Sequence, residues 1–141
     1  MGKITNEVRF IVVHASDSPH RGDNAMDVHR WHTEPPRSWS GIGYNYVILD
    51  DGALESGRPE YWPGAHTRGF NDVSLGIMLF GRGPEDFNCL QLCRLADLCK
   101  NLKLKYPHAE IVGHSDLDPE GKPHCPGFDV KEWALANGLQ V

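Results

Sequence analysis

The sequence predicts one α/β domain, in which a central mixed β-sheet of about five strands is flanked by about three helices. The chain has 141 residues, enough for a single hydrophobic core. Hydrophobic residues make up 40% of it and charged residues 23%, as in ordinary globular domains. Short β-branched runs alternate with helical spacing, the order typical of this fold class. Because no repeat, low-complexity tract or linker divides the chain, we assign residues 1–141 to one domain.

The first strand and helix are predicted from a change in residue spacing. Residues 8–13 are mostly β-branched and almost entirely apolar, as expected for a strand that is buried on both faces. A polar loop is expected over residues 16–24. Residues 25–34 have the pattern of a short helix, which Pro35 and Pro36 end because proline cannot continue helical hydrogen bonding.

Three further strands follow from the middle of the sequence. Residues 44–49 and 53–56 flank Asp50-Asp51-Gly52, a turn sequence that favours a β-hairpin. Residues 74–80 are another apolar run closed by glycine. Residues 109–113 predict a short fifth strand that leads directly into a histidine.

The clearest helix is predicted over residues 89–105. Asn88 and Gln91 have capping-box spacing at its start. Five apolar residues then recur at helical spacing on one face: Leu92, Leu95, Ala96, Cys99 and Leu102. A last helix is expected after Asp129, which has the spacing of an N-cap, and it ends near Asn137.

Composition excludes several classes of function. The net charge is −5 and no stripe dense in lysine and arginine is present, which argues against a nucleic-acid partner. No apolar run reaches eighteen residues, so membrane insertion is not expected. The N-terminus lacks the apolar core of a signal peptide, which predicts a cytoplasmic chain unless another factor exports it. Without a second apolar stripe beyond the core, we expect a monomer.

The four cysteines divide into two groups. Cys89, Cys93 and Cys99 lie on the predicted long helix, where we expect them to pack in the core as reduced thiols. No Cys-x-x-Cys pair is present, so a zinc ribbon or a thioredoxin-like site is not indicated. Cys125 stands apart from the others in a proline-rich loop, which makes it the candidate for chemistry.

Two histidines at strand ends complete a candidate metal site with Cys125. His14 and His114 each directly follow a predicted strand, where the sheet holds the backbone while the side chain reaches the edge. Two imidazoles and a thiolate suit zinc, and three protein ligands leave a fourth position open for water, as in catalytic sites. Histidines 108 and 124 with the helix cysteines form a weaker alternative set.

Five segments together resemble a known enzyme family. The chain is similar to the phage-lysozyme-type N-acetylmuramoyl-L-alanine amidases, whose superfamily includes the peptidoglycan recognition proteins. The segments occur in the family's order and span positions 11–129. They are Ile-Val-Val-His-Ala-Ser at 11–16, Gly-Ile-Gly-Tyr-Asn-Tyr-Val-Ile at 41–48, Gly-Ala-His-Thr-Arg-Gly-Phe-Asn at 64–71 with Ser-Leu-Gly-Ile at 74–77, Val-Gly-His-Ser-Asp at 112–116, and Cys-Pro-Gly-Phe-Asp at 125–129.

The resemblance implies roles for individual residues. The family's zinc ligands fall on His14, His114 and Cys125, the same three residues that the strand-end argument selects. Its active-site tyrosine falls on Tyr44, which would lie at the start of a strand with its hydroxyl near the reacting carbonyl.

The family's substrate groove implies a further set of residues. His66, Thr67 and Asn71 match the segment that lines this groove, although each is also compatible with an ordinary structured loop. Trp39 and Trp62 lie in predicted loops, where their apolar faces are candidates for contact with a sugar or a peptide stem. Either tryptophan is equally compatible with the core.

The chain departs from the family pattern at two positions. Where members with a cysteine ligand often carry lysine or threonine two residues before it, this chain has Pro123. We favour Lys122 for the role of stabilising the tetrahedral intermediate, with His124 as the competitor. Some cytoplasmic relatives carry a glutamate base in the strand after the groove segment, and the matching residue here is Met78.

The resemblance therefore implies an enzyme that hydrolyses the amide between N-acetylmuramic acid and L-alanine, with one zinc ion. A phage or prophage endolysin, released to the wall by a holin, is the expected setting. Three alternatives stay open: a cytoplasmic muropeptide-recycling amidase, a non-catalytic peptidoglycan-recognition module, and a cysteine hydrolase with Cys125 as nucleophile.

Overall fold

The computed structural model describes residues 7–17, 23–39 and 41–140. A five-stranded sheet has the order β3-β2-β4-β1-β5. Its strands are β1 Phe10–Ala15, β2 Tyr46–Ile48, β3 Leu54–Ser56, β4 Ser74–Leu79 and β5 Glu110–Gly113. β1 runs parallel to β4 and β5, β4 runs parallel to β2, and β3 is antiparallel to β2. The predicted mixed five-stranded sheet is confirmed.

Within the described part of the chain, four helices accompany the sheet, one more than the sequence predicts. They are α1 Ala25–Thr33, α2 Cys89–Lys105, α3 His114–Leu117 and α4 Val130–Ala136, with a 3₁₀ turn at Pro84–Asp86. The predicted capping box of α2 is present, since the Asn88 side chain accepts from Gln91 N–H and the Gln91 side chain accepts in return. α3 escapes sequence analysis because four residues are too few to establish a helical period.

Both faces of the central strands are buried. On one face, Ile11 and Val13 of β1 pack with Leu95 and Leu102 of α2. On the other face, Met78 of β4 and Phe80 directly after it pack with Val28 of α1. This two-sided burial explains why β1 and β4 read as continuous apolar runs.

The parallel strands end at one edge of the sheet, and this edge positions the site. His14 is the fifth residue of β1, which ends at Ala15. The expectation that His14 directly follows the strand is therefore wrong. The β1–β4 ladder continues through the pairs His14–Met78 and Ala15–Leu79, which extends the strand past its apolar run. His114 follows β5 directly, as predicted, and is the first residue of α3.

Two other expectations need correction. Tyr44 lies two residues before β2 rather than at the start of a strand, since the ladder begins at Tyr46. Cys89 and Cys93 are exposed and do not pack in the core. The buried stripe of α2 runs instead through Gln91, Leu95, Leu98, Cys99 and Leu102, so Cys99 alone of the three helix cysteines is buried.

Parts of two sequence expectations lie outside the described residues. The expected polar loop at 16–24 is described only at its two ends, and the N-terminal residues 1–6 are also outside. Within the described ranges, every helix is too short or too polar to cross a lipid bilayer.

Candidate active site

Three side chains converge where β1 and β5 end. Nδ1 of His14 lies 3.0 Å from Nδ1 of His114. One ligand atom from each of His14, His114 and Cys125 lies within 4.8 Å of the others. The backbone N–H of Ala15 points at Sγ of Cys125, 3.4 Å away, which ties the cysteine loop to the end of β1. The sheet therefore brings together residues that are 100 or more positions apart in sequence.

The protonation of the cluster follows from its burial. Burial lowers the pKa of His14 well below its usual range, and His66 and His114 lower it further. Burial likewise lowers the pKa of His114, partly opposed by Asp118. Both imidazoles are therefore neutral at neutral pH, the form that binds a metal. Burial raises the pKa of the Cys125 thiol.

The cluster lies in a cavity of about 1140 Å³. The cavity brings together ten of the eleven residues that the sequence selects, which are His14, Trp39, Tyr44, His66, Thr67, Asn71, His114, Lys122, His124 and Cys125. Trp62 does not line it and packs against Tyr61, with ring centroids 6.0 Å apart. Ten of the eleven residues therefore line one cavity, and Trp62 lies outside it.

Tyr44 lies beside the candidate metal ligands. Its ring centroid is 5.0 Å from that of His14 and 5.6 Å from that of His32. Burial raises the pKa of Tyr44 above its usual range, and the charge of Cys125 raises it further. The hydroxyl is therefore held in its protonated form, as a hydrogen-bond donor inside the cavity.

The groove segment forms a tight loop behind His14. Oδ1 of Asn71 accepts from the backbone N–H groups of His66 and Thr67, each at 2.9 Å. Nδ1 of His66 lies 3.0 Å from Nε2 of His14 and 2.9 Å from Oγ1 of Thr67. Burial lowers the pKa of His66 to about 3, which keeps this ring neutral.

The loop before Cys125 forms the opposite side of the cavity. Lys122, Pro123 and His124 all line the cavity and are all exposed. The positive charge of Lys122 lowers the pKa values of His14, His114 and Cys125 alike, so its ammonium group acts on the whole cluster. Met78, at the position where some relatives carry a glutamate, is apolar and 1% exposed.

Sequence reasoning missed His32, which lines the same cavity. Its Nδ1 accepts from the backbone N–H of Gly43 at 2.9 Å, which anchors the turn before Tyr44. Burial lowers the pKa of His32 to about 4. The signal was available in the sequence, because His32 lies four residues after Val28 and so shares the inward face of α1.

Comparison with known proteins identifies the family. The model of the N-acetylmuramoyl-L-alanine amidase family, Amidase_2, matches residues 4–128. The chain belongs to this family. The predicted resemblance and the predicted enzyme class, an N-acetylmuramoyl-L-alanine amidase, are both confirmed.

Individual relatives agree with this assignment. The endolysin of Klebsiella phage KP32 is 34% identical over 140 residues, covering 94% of this chain and 89% of that protein. The solved amidase LysC from Clostridium intestinale URNW is 27% identical with a TM-score of 0.79, covering 99% of this chain and 93% of that one. Drosophila peptidoglycan recognition protein SD matches with a TM-score of 0.79 at 20% identity, over 94% of this chain and 82% of that one. The last likeness concerns the fold alone.

Proposed function

We propose that this amidase is a phage or prophage endolysin that hydrolyses the amide between N-acetylmuramic acid and L-alanine with one zinc ion. The observation that carries the proposal is the convergence of His14, His114 and Cys125 on the floor of a large cavity. The endolysins of Klebsiella phage KP32 and Escherichia phage T7 support the setting, each 34% identical.

The donor set fits zinc in kind and in spacing. Zinc bonds of about 2.0–2.1 Å to nitrogen and about 2.3 Å to sulfur place tetrahedral ligand atoms about 3.3–3.7 Å apart. The nitrogen–nitrogen separation of 3.0 Å and the limit of 4.8 Å within the set are close to that range. A zinc ion held there supplies Lewis-acid polarisation of a carbonyl and activation of water near neutral pH.

The surrounding residues have complementary tasks in this proposal. Tyr44 donates a hydrogen bond from a hydroxyl that burial keeps protonated, and it aims at the charge developing on the scissile carbonyl oxygen. Lys122 adds a positive charge that reaches all three metal ligands. We favour Lys122 over His124 for stabilising the intermediate on this ground. Tyr44 or His124 returns a proton to the leaving amine.

The charges around the cavity suit an anionic substrate. The chain carries a net charge of −5, yet the described lining has four cationic side chains and two carboxylates. The cations are Arg37, Arg68, Arg82 and Lys122, and the carboxylates are Asp17 and Asp118. Peptidoglycan stem peptides carry free carboxylates, so this local excess of positive charge favours their capture. Thr67, Asn71 and Trp39 complete the proposed substrate contacts.

Two alternatives are weaker on physical grounds. A cysteine hydrolase needs a thiol activated by a lowered pKa, whereas burial raises the pKa of Cys125. A recognition module without catalysis has no use for a cysteine at the third ligand position beside a protonated tyrosine. We further propose that the protein acts as a monomer on the wall after holin-type release from the cytoplasm, without nucleic-acid partners or membrane insertion.

The proposal is tested by comparing cleavage of intact sacculi with cleavage of soluble muropeptides. Purified protein is incubated with intact sacculi and, separately, with soluble muropeptides, and new L-alanine amino termini are quantified by labelling and mass spectrometry. An endolysin releases stem peptides from intact sacculi. Cleavage confined to soluble muropeptides would favour the recycling amidase, and binding to sacculi without new amino termini would favour the recognition module.

A further inference from the structure

We propose that His66 is a positioning residue for the metal centre, because it accepts the Nε2 proton of His14 and so directs the Nδ1 lone pair of His14 toward the metal. The inference rests on the proposed zinc site. It gives His66 a task different from the substrate contact that the resemblance implies.

The two ring nitrogens of His14 face different partners. Nδ1 points into the ligand cluster, 3.0 Å from Nδ1 of His114. Nε2 points away from it, 3.0 Å from Nδ1 of His66. A histidine that ligates a metal through one nitrogen generally donates the N–H of the other to a fixed acceptor, which sets the tautomer and the ring orientation. His66 occupies that acceptor position.

The far side of the His66 ring decides which of its nitrogens accepts. The hydroxyl of Ser74 donates to the carbonyl of Phe70 at 2.7 Å, so its oxygen is left to accept from Nε2 of His66, 3.4 Å away. A hydrogen bond to the backbone of Ser74 acts on the same ring. A neutral imidazole has one donor and one acceptor. The contact with Ser74 therefore assigns the proton of His66 to Nε2, which leaves Nδ1 to accept from Nε2–H of His14. The hydroxyl of Thr67, 2.9 Å from the same Nδ1, then acts as a second donor to it.

The ring of His66 is held in place by two close backbone approaches. A Cβ at Gly76 of β4 would lie 2.6 Å from Cγ of His66, and a Cβ at Gly64 would lie 2.5 Å from its Cδ2. Only glycine leaves room for the ring at these positions. His66 is 9% exposed, which suits a fixed acceptor better than a group that meets a substrate.

The other histidine ligand has a weaker outer contact. Nε2 of His114 lies 4.0 Å from Oδ2 of Asp118, beyond hydrogen-bond distance. His14 is therefore the more firmly oriented ligand, and loss of its partner removes the best-defined outer contact among the three ligands.

Zinc affinity tests the inference directly. Wild-type, His66→Leu and His32→Leu proteins are titrated in competition with a chromophoric chelator. His66→Leu is expected to weaken zinc binding by about 10–100-fold, the usual cost of an outer partner. His32→Leu, which replaces a buried histidine of the same cavity without contact to a ligand, is the matched control and keeps wild-type affinity. Equal affinity of His66→Leu and wild type overturns the inference.

A measurement on the wild-type protein keeps the inference testable if His66→Leu does not fold. Long-range ¹⁵N–¹H correlation spectra of the zinc-free protein report which nitrogen of each imidazole carries its proton. We expect Nε2–H for both His14 and His66, and Nδ1–H at either ring overturns the relay. A wild type with these tautomers that binds no zinc contradicts the proposed function, whereas normal zinc binding with the wrong tautomers contradicts only this inference.

Discussion

The ligand wall of the cavity, formed by His14, His66 and His114, differs sharply from the loop wall, formed by Arg37, Trp39, Lys122, Pro123 and His124. The three histidines are each 9% exposed or less and are linked by contacts of 3.0 Å. All five residues of the loop wall are exposed, and the exposed fraction of Trp39 is 37%. The two candidate metal-ligating histidines lie at the ends of β1 and β5, whereas the groups that we propose to meet the substrate lie on loops.

The largest effect is expected from the three proposed metal ligands, His14, His114 and Cys125. His114→Ala and Cys125→Ser each remove a proposed metal ligand, and amidase activity should fall by more than the about 100-fold that loss of an outer partner costs. Zinc content by mass spectrometry of the purified variants, with activity on sacculi, checks this. A variant that retains both activity and zinc would show that the cluster is not the metal site.

The loop wall should contribute to catalysis through the positive charge of Lys122. Lys122→Met is expected to lower kcat by about 10²–10³-fold, the usual cost of one group that stabilises an oxyanion, with little change in KM. With Tyr44 as the proton donor to the leaving amine, His124→Gln should have a much smaller effect on kcat. Lys131→Met, an exposed lysine of α4 away from the cavity, is the control. The reverse ranking of Lys122→Met and His124→Gln would transfer the role to His124.

Zinc binding should release about one proton near neutral pH. The proton comes from Cys125, whose thiol pKa burial raises, whereas His14 and His114 are already neutral because burial lowers their pKa values. Zinc affinity should therefore rise by about tenfold per pH unit between neutral pH and the thiol pKa. Calorimetry in two buffers of different ionisation enthalpy counts the protons. A count near zero would indicate a preformed thiolate, and a count near three would indicate charged imidazoles.

The smallest effect is expected from the aromatic part of the loop wall. Trp39→Ala should raise KM by about 2–10-fold, as expected for loss of an aromatic contact of about 0.5–1.5 kcal/mol. Trp62→Ala should leave KM unchanged, since Trp62 does not line the cavity. Steady-state kinetics on a soluble muropeptide measures KM for both variants. A rise in KM for Trp62→Ala would mean that the substrate extends beyond the cavity.

The sheet and the positions of His14 and His114 were largely predictable, because each histidine directly follows an apolar run that has the pattern of a strand. The β-branched run before His14 and the apolar run before His114 predict two strands. The structure pairs these strands in parallel, so both histidines reach the same edge of the sheet. Zinc as the metal also followed from the donor types, although its presence is still a proposal.

The remaining features depend on distant parts of the chain. The burial of His66 requires the bare backbone of Gly76 in β4, a contact that no spacing in the sequence encodes. The exposure of Cys89 and Cys93 depends on which stripe of α2 meets the sheet. The observed stripe includes Gln91 and Leu98, which the predicted apolar face does not contain. The place of Trp62 outside the cavity depends likewise on tertiary packing.

Metal-dependent release of L-alanine amino termini from purified sacculi tests the central claim most directly. Protein stripped by a strong chelator is assayed before and after addition of stoichiometric zinc, with Cys125→Ser in parallel. The account predicts no release from the stripped protein, full recovery with zinc, and no recovery for Cys125→Ser. Full activity of the stripped, zinc-free protein would contradict it.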